Sequence, residues 1–327
     1  MKALLVGLGA MGVGWLKKLE NADDMAIAVV EPNESRQSLL DGKTGIPFYC
    51  SLTEAIEREK PDFLVNVTPP FVHSQVNHTA FDYRLPVLCE KPISFDYEES
   101  QQVVRRAIEE NIPFMVAENY RRHPYVRKLK QLLDEGAIGE LSAIDAVFYR
   151  YHERERAYPV SLLKDIAVHH LDMIRYLTGQ EGKRIFARNV NPRGSWDREL
   201  VSVNLYVWLE TEGGIPVTYT GSLAARSSET PWSGNWRVEG TEGAIELVDK
   251  ELTLFTKSGA AKVDMAGDPP VTDCLGEFLA SLREGREAET SGQQYLRTEA
   301  LMYYAERSSE AASILDIQLP DLGRDRS

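Results

Sequence analysis

The stretch that most constrains this 327-residue chain is its beginning, an apolar run from Ala3 to Val6, the turn Gly7-x-Gly9-x-x-Gly12, and a helix-compatible segment to Glu20. Each glycine has a mechanical job in such a turn. Gly7 lets the chain leave the strand sharply, Gly9 lets backbone approach a pyrophosphate, and Gly12 lets the helix pack closely on the strand. The helix N-terminus then offers free N–H groups and a positive dipole end to phosphate. Gly7, Leu8, Gly9, Ala10, Met11 and Gly12 are therefore the candidate phosphate cradle. A lone GxGxxG means little, but here a strand precedes it and a helix follows, and a second strand, Met25 to Glu31, ends in an acid. Glu31 lies 19 residues past Gly12, where a carboxylate accepts from the adenosine ribose hydroxyls and repels a 2′-phosphate. The pattern favours NAD, and Arg36 nearby leaves NADP as the second choice.

Alternation of apolar strands with helical segments continues through Phe48–Cys50, a helix opened by Ser51-x-x-Glu54, Phe63–Val67, a helix from Val72 to Tyr83, Pro86–Glu90, a helix from Ser94 to Asn111, and Ile112–Ala117. That order predicts a parallel, doubly wound α/β sheet of Rossmann type with helices on both faces, over residues 1–120. Ligands of such sheets sit beyond the carboxyl ends of the strands. The residues there are Gly7, Glu31, Thr68, Glu90, Lys91 and Asn119. In Glu90-Lys91-Pro92 the proline steers Lys91 away from helical geometry, with either a trans or a cis bond open, and a lysine at this position points into the ligand crevice.

The length implies a second domain, placed at residues 121–327. A net charge of −13 argues against nucleic acid or an anionic membrane as partner. The three scattered cysteines, Cys50, Cys89 and Cys274, fit reduced thiols in the cytoplasm. No signal peptide is visible, and no apolar run approaches the roughly 20 residues of a membrane span. The tail from Gly323 reads as frayed. In the second domain a helix from Tyr125 to Glu135 precedes strands at Leu141–Tyr151, Arg184–Val190, Val201–Glu210, Ile215–Ala225, Asn235–Glu239, Ala244–Leu247 and Leu252–Thr256. They are joined by turns, so the sheet is expected to be mixed or mostly antiparallel, in an α+β domain. Helices at Cys274–Glu284 and Tyr295–Ala312 are expected to cover one face and leave the other open.

Between them lies Lys164 to Gly179, a helix closed by its C-terminal glycine, with Asp165, His169 and Asp172 at i, i+4 and i+7. That spacing puts all three on one face, where a carboxylate orients an imidazole; the competing reading is a solvated stripe. A second rival joins Asp165, His169 and His73 as three metal ligands, without support from any HExxH, CxxC or cysteine cluster.

Five segments together resemble the glucose–fructose oxidoreductase / inositol dehydrogenase / MocA (Gfo/Idh/MocA) family: the glycine turn, Val67-Thr-Pro-Pro-Phe-Val-His73, Cys89-Glu-Lys-Pro92, Ala117-Glu-Asn-Tyr-Arg121 and the Asp165-to-Asp172 segment, with Ala167 where the family usually has glycine. Thr230 to Gly243 is similar as well. The resemblance implies that Lys91 reaches the nicotinamide end and the substrate, and that Thr68, Pro69 and His73 line the dinucleotide site. It implies Asp165 and His169 as the catalytic pair beside Lys91, with Asp172 structural, and the open sheet face as a contact between copies of the chain in a homodimer or homotetramer. Arg121, Tyr149, Arg150 and Arg226 are further candidate substrate contacts, and Trp232 and Trp236 are either core or walls of a sugar pocket.

The expectation is an NAD-dependent oxidoreductase that moves hydride between the nicotinamide and a hydroxyl or carbonyl of a sugar, a polyol such as inositol, or a related compound. Three alternatives stay open from sequence: a nucleotide-sensing regulator of the same fold, a redox-assisted glycosidase with tightly held NAD, and a scaffolding protein.

Overall fold

A computed structural model describes residues 1–152, 160–193, 195, 202–266, 268 and 270–322. The chain forms two units, one of residues 1–118, 272–296 and 322–327, the other of 119–271 and 297–321. The expected strand start at Val201 and the tail from Gly323 lie outside the described residues.

The first unit is built on β1 (Lys2–Val6), α1 (Ala10–Glu20), β2 (Ala26–Val30), β3 (Phe48–Tyr49), α2 (Leu52–Glu59), β4 (Phe63–Asn66), α3 (Pro70–Asp82), β5 (Val87–Cys89), α4 (Tyr97–Glu109) and β6 (Phe114–Val116). The strands pair in parallel in the order β3-β2-β1-β4-β5-β6. β4, β5 and β6 are buried at every residue, as both faces of a doubly wound sheet must be. Caps set the helix starts. The Ser51 side chain accepts from the Glu54 N–H to open α2, and Asp96 accepts from the Glu98 and Glu99 N–H groups to open α4. A 3₁₀ turn over Glu34–Leu40 is capped by Asn33 in the same way.

In the second unit, α5 (Pro124–Asp134) leads into β7 (Leu141–Tyr149), a π turn at Leu163–Ala167, α6 (Val168–Thr178), β8 (Gly182–Val190), β9 (Asn204–Thr211), β10 (Pro216–Ser222), β11 (Asn235–Gly240), β12 (Ala244–Val248), β13 (Glu251–Thr256) and β14 (Gly259–Lys262). Then come α7 (Cys274–Glu284), α8 (Gly292–Ala311) and β15 (Leu315–Asp316). The sheet order is β14-β13-β12-β11-β7-β10-β9-β8-β15. Among the described residues of this sheet only β7 and β10 pair in parallel; the other pairings are antiparallel. This is the mixed, mostly antiparallel sheet that the turn-linked strands imply. Tyr219, Phe148, Leu205 and Val238 point to its buried face, where α6 and the later turns of α8 pack. The opposite face carries the register row Trp208, Thr218, Asp145 and Arg237, with Tyr206 beside it 45% exposed.

One assignment differs from the boundary drawn at residue 120. Helix α7 belongs to the first unit, where Cys274, Leu275 and Phe278 enter the core of the parallel sheet and Phe278 meets Phe63 edge-on at 5.5 Å. Its residues form the predicted helix; its amphipathic pattern does not say which sheet it will cover.

Candidate active site

In the first unit the glycine turn is shaped by contact. Gly7 has φ +100°, and a Cβ there would come within 2.9 Å of Val67 O. A Cβ at Gly12 would collide with Gly7 O, so α1 seats directly on the turn. Over Gly9 the Arg36 guanidinium stands 3.4 Å from where a Cβ would be, a cation beside the turn that a pyrophosphate would meet. Glu31 closes the side of the cradle. Its Oε2 accepts from the Leu8 N–H at 2.8 Å and its Oε1 from the Asn33 N–H at 3.1 Å. Arg36 Nη1 stands 3.5 Å from Glu31 Oε2. The carboxylate is therefore fixed in place beside the turn, with lone pairs left for hydroxyl donors.

At the ends of β4 and β5 the backbone is held by a buried polar network. Asn66, His73 and Asn77 are fully buried. Asn66 Nδ2 donates to His73 O (3.1 Å) and to Asn77 Oδ1 (2.8 Å), while its Oδ1 accepts from the Thr68 N–H (3.3 Å) and hydroxyl (2.7 Å). Asn77 Nδ2 donates to Cys89 Sγ at 3.6 Å, whose thiol donates to Glu90 O at 3.2 Å. The His73 ring lies between two carbonyls, Nδ1 at 2.7 Å from Pro92 O and Nε2 at 2.7 Å from Thr68 O. Burial pushes the His73 pKa down, against the upward pull of the two carbonyls, and Lys91 pushes it down further. Glu90 Oε1 accepts from Trp15 Nε1–H at 2.7 Å and its Oε2 from the Lys91 N–H at 3.3 Å. Burial raises the Glu90 pKa, more than these donors lower it. The Lys91–Pro92 peptide is cis.

In the second unit α6 is the central element. Every residue from Val168 to Arg175 is buried, so the stripe expected to hold His169 and Asp172 is not a solvated face. Asp165 sits inside the π turn, where the Val168 N–H reaches back to Leu163 O. His169 is 5% exposed, and the Tyr120 ring stacks on it at 4.1 Å. His170 Nδ1 meets the Tyr219 hydroxyl and its Nε2 the Trp232 carbonyl, each at 2.9 Å. Burial holds its pKa near 3, so the ring is neutral, donating to Trp232 O and accepting from Tyr219. Asp172 is fully buried and takes both Arg121 Nε (2.7 Å) and Nη2 (2.5 Å), with the Thr298 hydroxyl donating to it at 2.9 Å.

Two residues named as site candidates have their side chains engaged in the interior. His73 does not line the cofactor site with a ring nitrogen; both nitrogens are turned onto backbone carbonyls in the interior. Arg121 is not an open substrate contact; it is buried, forked onto Asp172 and laid over Tyr176 at 5.1 Å. Of the two tryptophans, Trp236 is core at 2% exposure, whereas Trp232 is 36% exposed beneath the Arg150 guanidinium at 4.6 Å. Arg150 also pairs with Glu229 at 2.7 Å, and Arg226 lies over Tyr151 at 5.4 Å. Tyr149, at the end of β7, is half-buried within electrostatic reach of Tyr219. Thr68 is half-buried, Pro69 exposed, and Asn119 exposed at the start of a 3₁₀ turn over Tyr120–Arg122. Among the described residues no group of three or more His, Cys, Asp or Glu is placed to hold a metal, and no helix is long and apolar enough to cross a membrane. Sequence reading missed Trp15, Asn66, Asn77, Tyr120 and His170. The signal for the first three was a polar or aromatic side chain on an inward helical or strand position.

Comparison with known proteins follows the same division. Residues 1–118 match the model of the oxidoreductase family with an NAD-binding Rossmann fold, and residues 126–246 match the GFO/IDH/MocA C-terminal domain. D-apiose dehydrogenase of Paraburkholderia graminis is 25% identical over 328 residues, which cover 92% of this chain and 85% of that one. Inositol 2-dehydrogenase of Rhizobium meliloti is 23% identical, over 93% of this chain and 97% of its own. An oxidoreductase from Agrobacterium radiobacter, solved with NAD+, L-tartaric acid and magnesium, shares the fold at a TM-score of 0.85 and 22% identity, over 97% of this chain and 98% of that one. With both of its modules matched in order along the chain, this protein belongs to the Gfo/Idh/MocA family of NAD-binding oxidoreductases.

Proposed function

We propose that this oxidoreductase interconverts a secondary hydroxyl and a carbonyl on a sugar, a polyol of the inositol type, or a sugar derivative. The observation that carries the reading is His169, an imidazole on the buried helix α6, stacked on Tyr120 and nearly shielded from water, to which the reading gives the role of general base. The two relatives above, named for D-apiose and for inositol, supply the substrate class. When bound, the nicotinamide supplies the hydride acceptor or donor. His169, oriented by Asp165, takes the hydroxyl proton, and the Lys91 ammonium stabilises the oxygen as negative charge grows on it. In reduction the same groups return the proton. Glu31 receives the ribose hydroxyls and, with its negative charge beside the turn, favours NAD over NADP.

The chain is further proposed to work as a homodimer or homotetramer through the open sheet face, where Tyr206 and Trp208 present apolar area among polar neighbours, and to act in the cytoplasm, where its three free thiols stay reduced. The test is turnover. Purified protein with NAD or NADP and a panel of inositols, aldoses and sugar acids is expected to generate reduced nicotinamide with at least one substrate, faster with NAD. Absence of any signal across the panel, in protein shown to bind NAD, contradicts the reading.

A further inference from the structure

Lys91 lies between two fixed points. Its own N–H donates to Glu90 Oε2 at 3.3 Å, and Glu90 is anchored through Oε1 to the Trp15 indole of α1 at 2.7 Å. On the other side, the carbonyl of the next residue, Pro92, meets His73 Nδ1 at 2.7 Å. The opposite edge of the same ring meets Thr68 O at 2.7 Å, so one imidazole joins the turn after β4 to the loop after β5. The ring cannot drift, because the backbone of His73 is itself held by Asn66 Nδ2 and the next turn of α3 by the Asn66–Asn77 pair. All three side chains are fully buried. A polar network this deep is costly unless each member is matched, and here Asn66 uses both donors and both acceptor sites.

We propose that His73 is a positioning residue for Lys91: its rigid ring fills the gap between Pro92 O and Thr68 O, donates its single N–H to one of them and packs against the other, and so holds the Lys91 loop beside the Thr68 turn and fixes where the Lys91 ammonium stands without touching cofactor or substrate. The inference rests on the role given to Lys91 above. An imidazole is suited to the task because a rigid ring spans the distance between the two carbonyls while its one N–H, in the neutral form, satisfies one of them. Displacement of a catalytic group by about 1 Å lowers turnover by roughly a hundredfold, and removing one end of the clamp permits movement on that scale.

The test compares the wild type with His73→Gln, which offers one donor group, and His73→Phe, which offers none, with Lys91→Ala as reference. Three quantities are read: kcat, the NAD dissociation constant, and amide hydrogen exchange along the chain of the cofactor-free protein. The expected result is a fall in kcat of about 10- to 100-fold, greater for Phe than for Gln, with NAD affinity nearly unchanged. Exchange is expected to accelerate at Lys91, Ile93 and Ser94 while α1 and β1 keep their protection. Unchanged kcat and unchanged loop exchange overturn the proposal. So does acceleration spread evenly over the unit, which would mark His73 as a general stability residue. If His73→Phe does not fold, His73→Gln alone decides. Full activity in Lys91→Ala sinks the role of Lys91 and not the clamp, because the exchange experiment reports the clamp in the absence of turnover.

Discussion

The Tyr120 ring lies parallel to the His169 imidazole, with centroids 4.1 Å apart and 13° between their planes. Tyr120 begins the 3₁₀ turn over Tyr120–Arg122, and the next residue, Arg121, is forked onto Asp172 of α6. One turn of chain thus touches the helix twice, once through a ring on the histidine and once through an ion pair three residues further along.

If the stack holds the imidazole in its working orientation, Tyr120→Phe keeps it and Tyr120→Leu does not. An aromatic pair is worth about 1 kcal/mol, so the Leu variant is expected to lose up to about tenfold in kcat while Phe stays near wild type. Steady-state kinetics on the substrate found by the panel check this.

The Asp172–Arg121 pair is buried at both ends, with side-chain exposures of 0% and 8%. Removing one partner leaves the other charge without its counter-ion in a site closed to water, at a cost of about 3–5 kcal/mol. Asp172→Ala is expected to lower the unfolding free energy by that order, read as a lower denaturant midpoint at unchanged m. Asp172→Asn, which still accepts from Arg121, is expected to lose less.

His170 carries a pH signature. Its pKa is near 3 in the folded chain against 6.5 for a free ring, because burial disfavours the charged form. Between those values the unfolded chain binds a proton that the folded chain does not. Its contribution is therefore fully present above pH 6.5 and is lost as pH falls toward 3, with a limiting slope of about 1.4 kcal/mol per pH unit. His170→Gln is expected to flatten the stability profile over that window in urea titrations at successive pH values; an unchanged slope contradicts the assignment.

Glu31 and Arg36 are expected to bias cofactor choice in opposite senses. Glu31→Ala removes the carboxylate beside the turn and the repulsion of a 2′-phosphate, so NAD affinity is expected to fall by about tenfold or more while the NADP-to-NAD preference ratio rises. Arg36→Ala, which takes away the guanidinium 3.5 Å from that carboxylate, is expected to weaken NADP more than NAD. Isothermal titration with each dinucleotide measures both.

What the sequence revealed and what it withheld divide along physical lines. The glycine turn, the alternating strands and the Gly179 stop are local signals, and the structure reproduces them, with Gly179 in the left-handed region at φ 64°. The π turn at Leu163–Ala167 has no such signal, since no residue type marks an i→i−5 bond. His73 entered through the resemblance of its segment after the Thr68–Pro69 turn, and its partners, two carbonyls brought near only by tertiary folding, could not be read from the sequence. Strand β14 was missed because Gly259–Lys262 is exposed throughout and shows no alternation. Helix α7 was seen with its correct ends but not its sheet, because an apolar stripe is indifferent to which core it joins.

The most direct test of the central claim is a single-turnover experiment with a substrate from the panel deuterated at its carbinol carbon, run in wild type and in Lys91→Ala, with NAD binding measured in the same samples. The account predicts that wild type delivers the deuterium to the nicotinamide ring, and that Lys91→Ala binds NAD normally but transfers the label at least about a hundredfold more slowly. Undiminished transfer by Lys91→Ala, or oxidation by wild type without label on the nicotinamide, would contradict it.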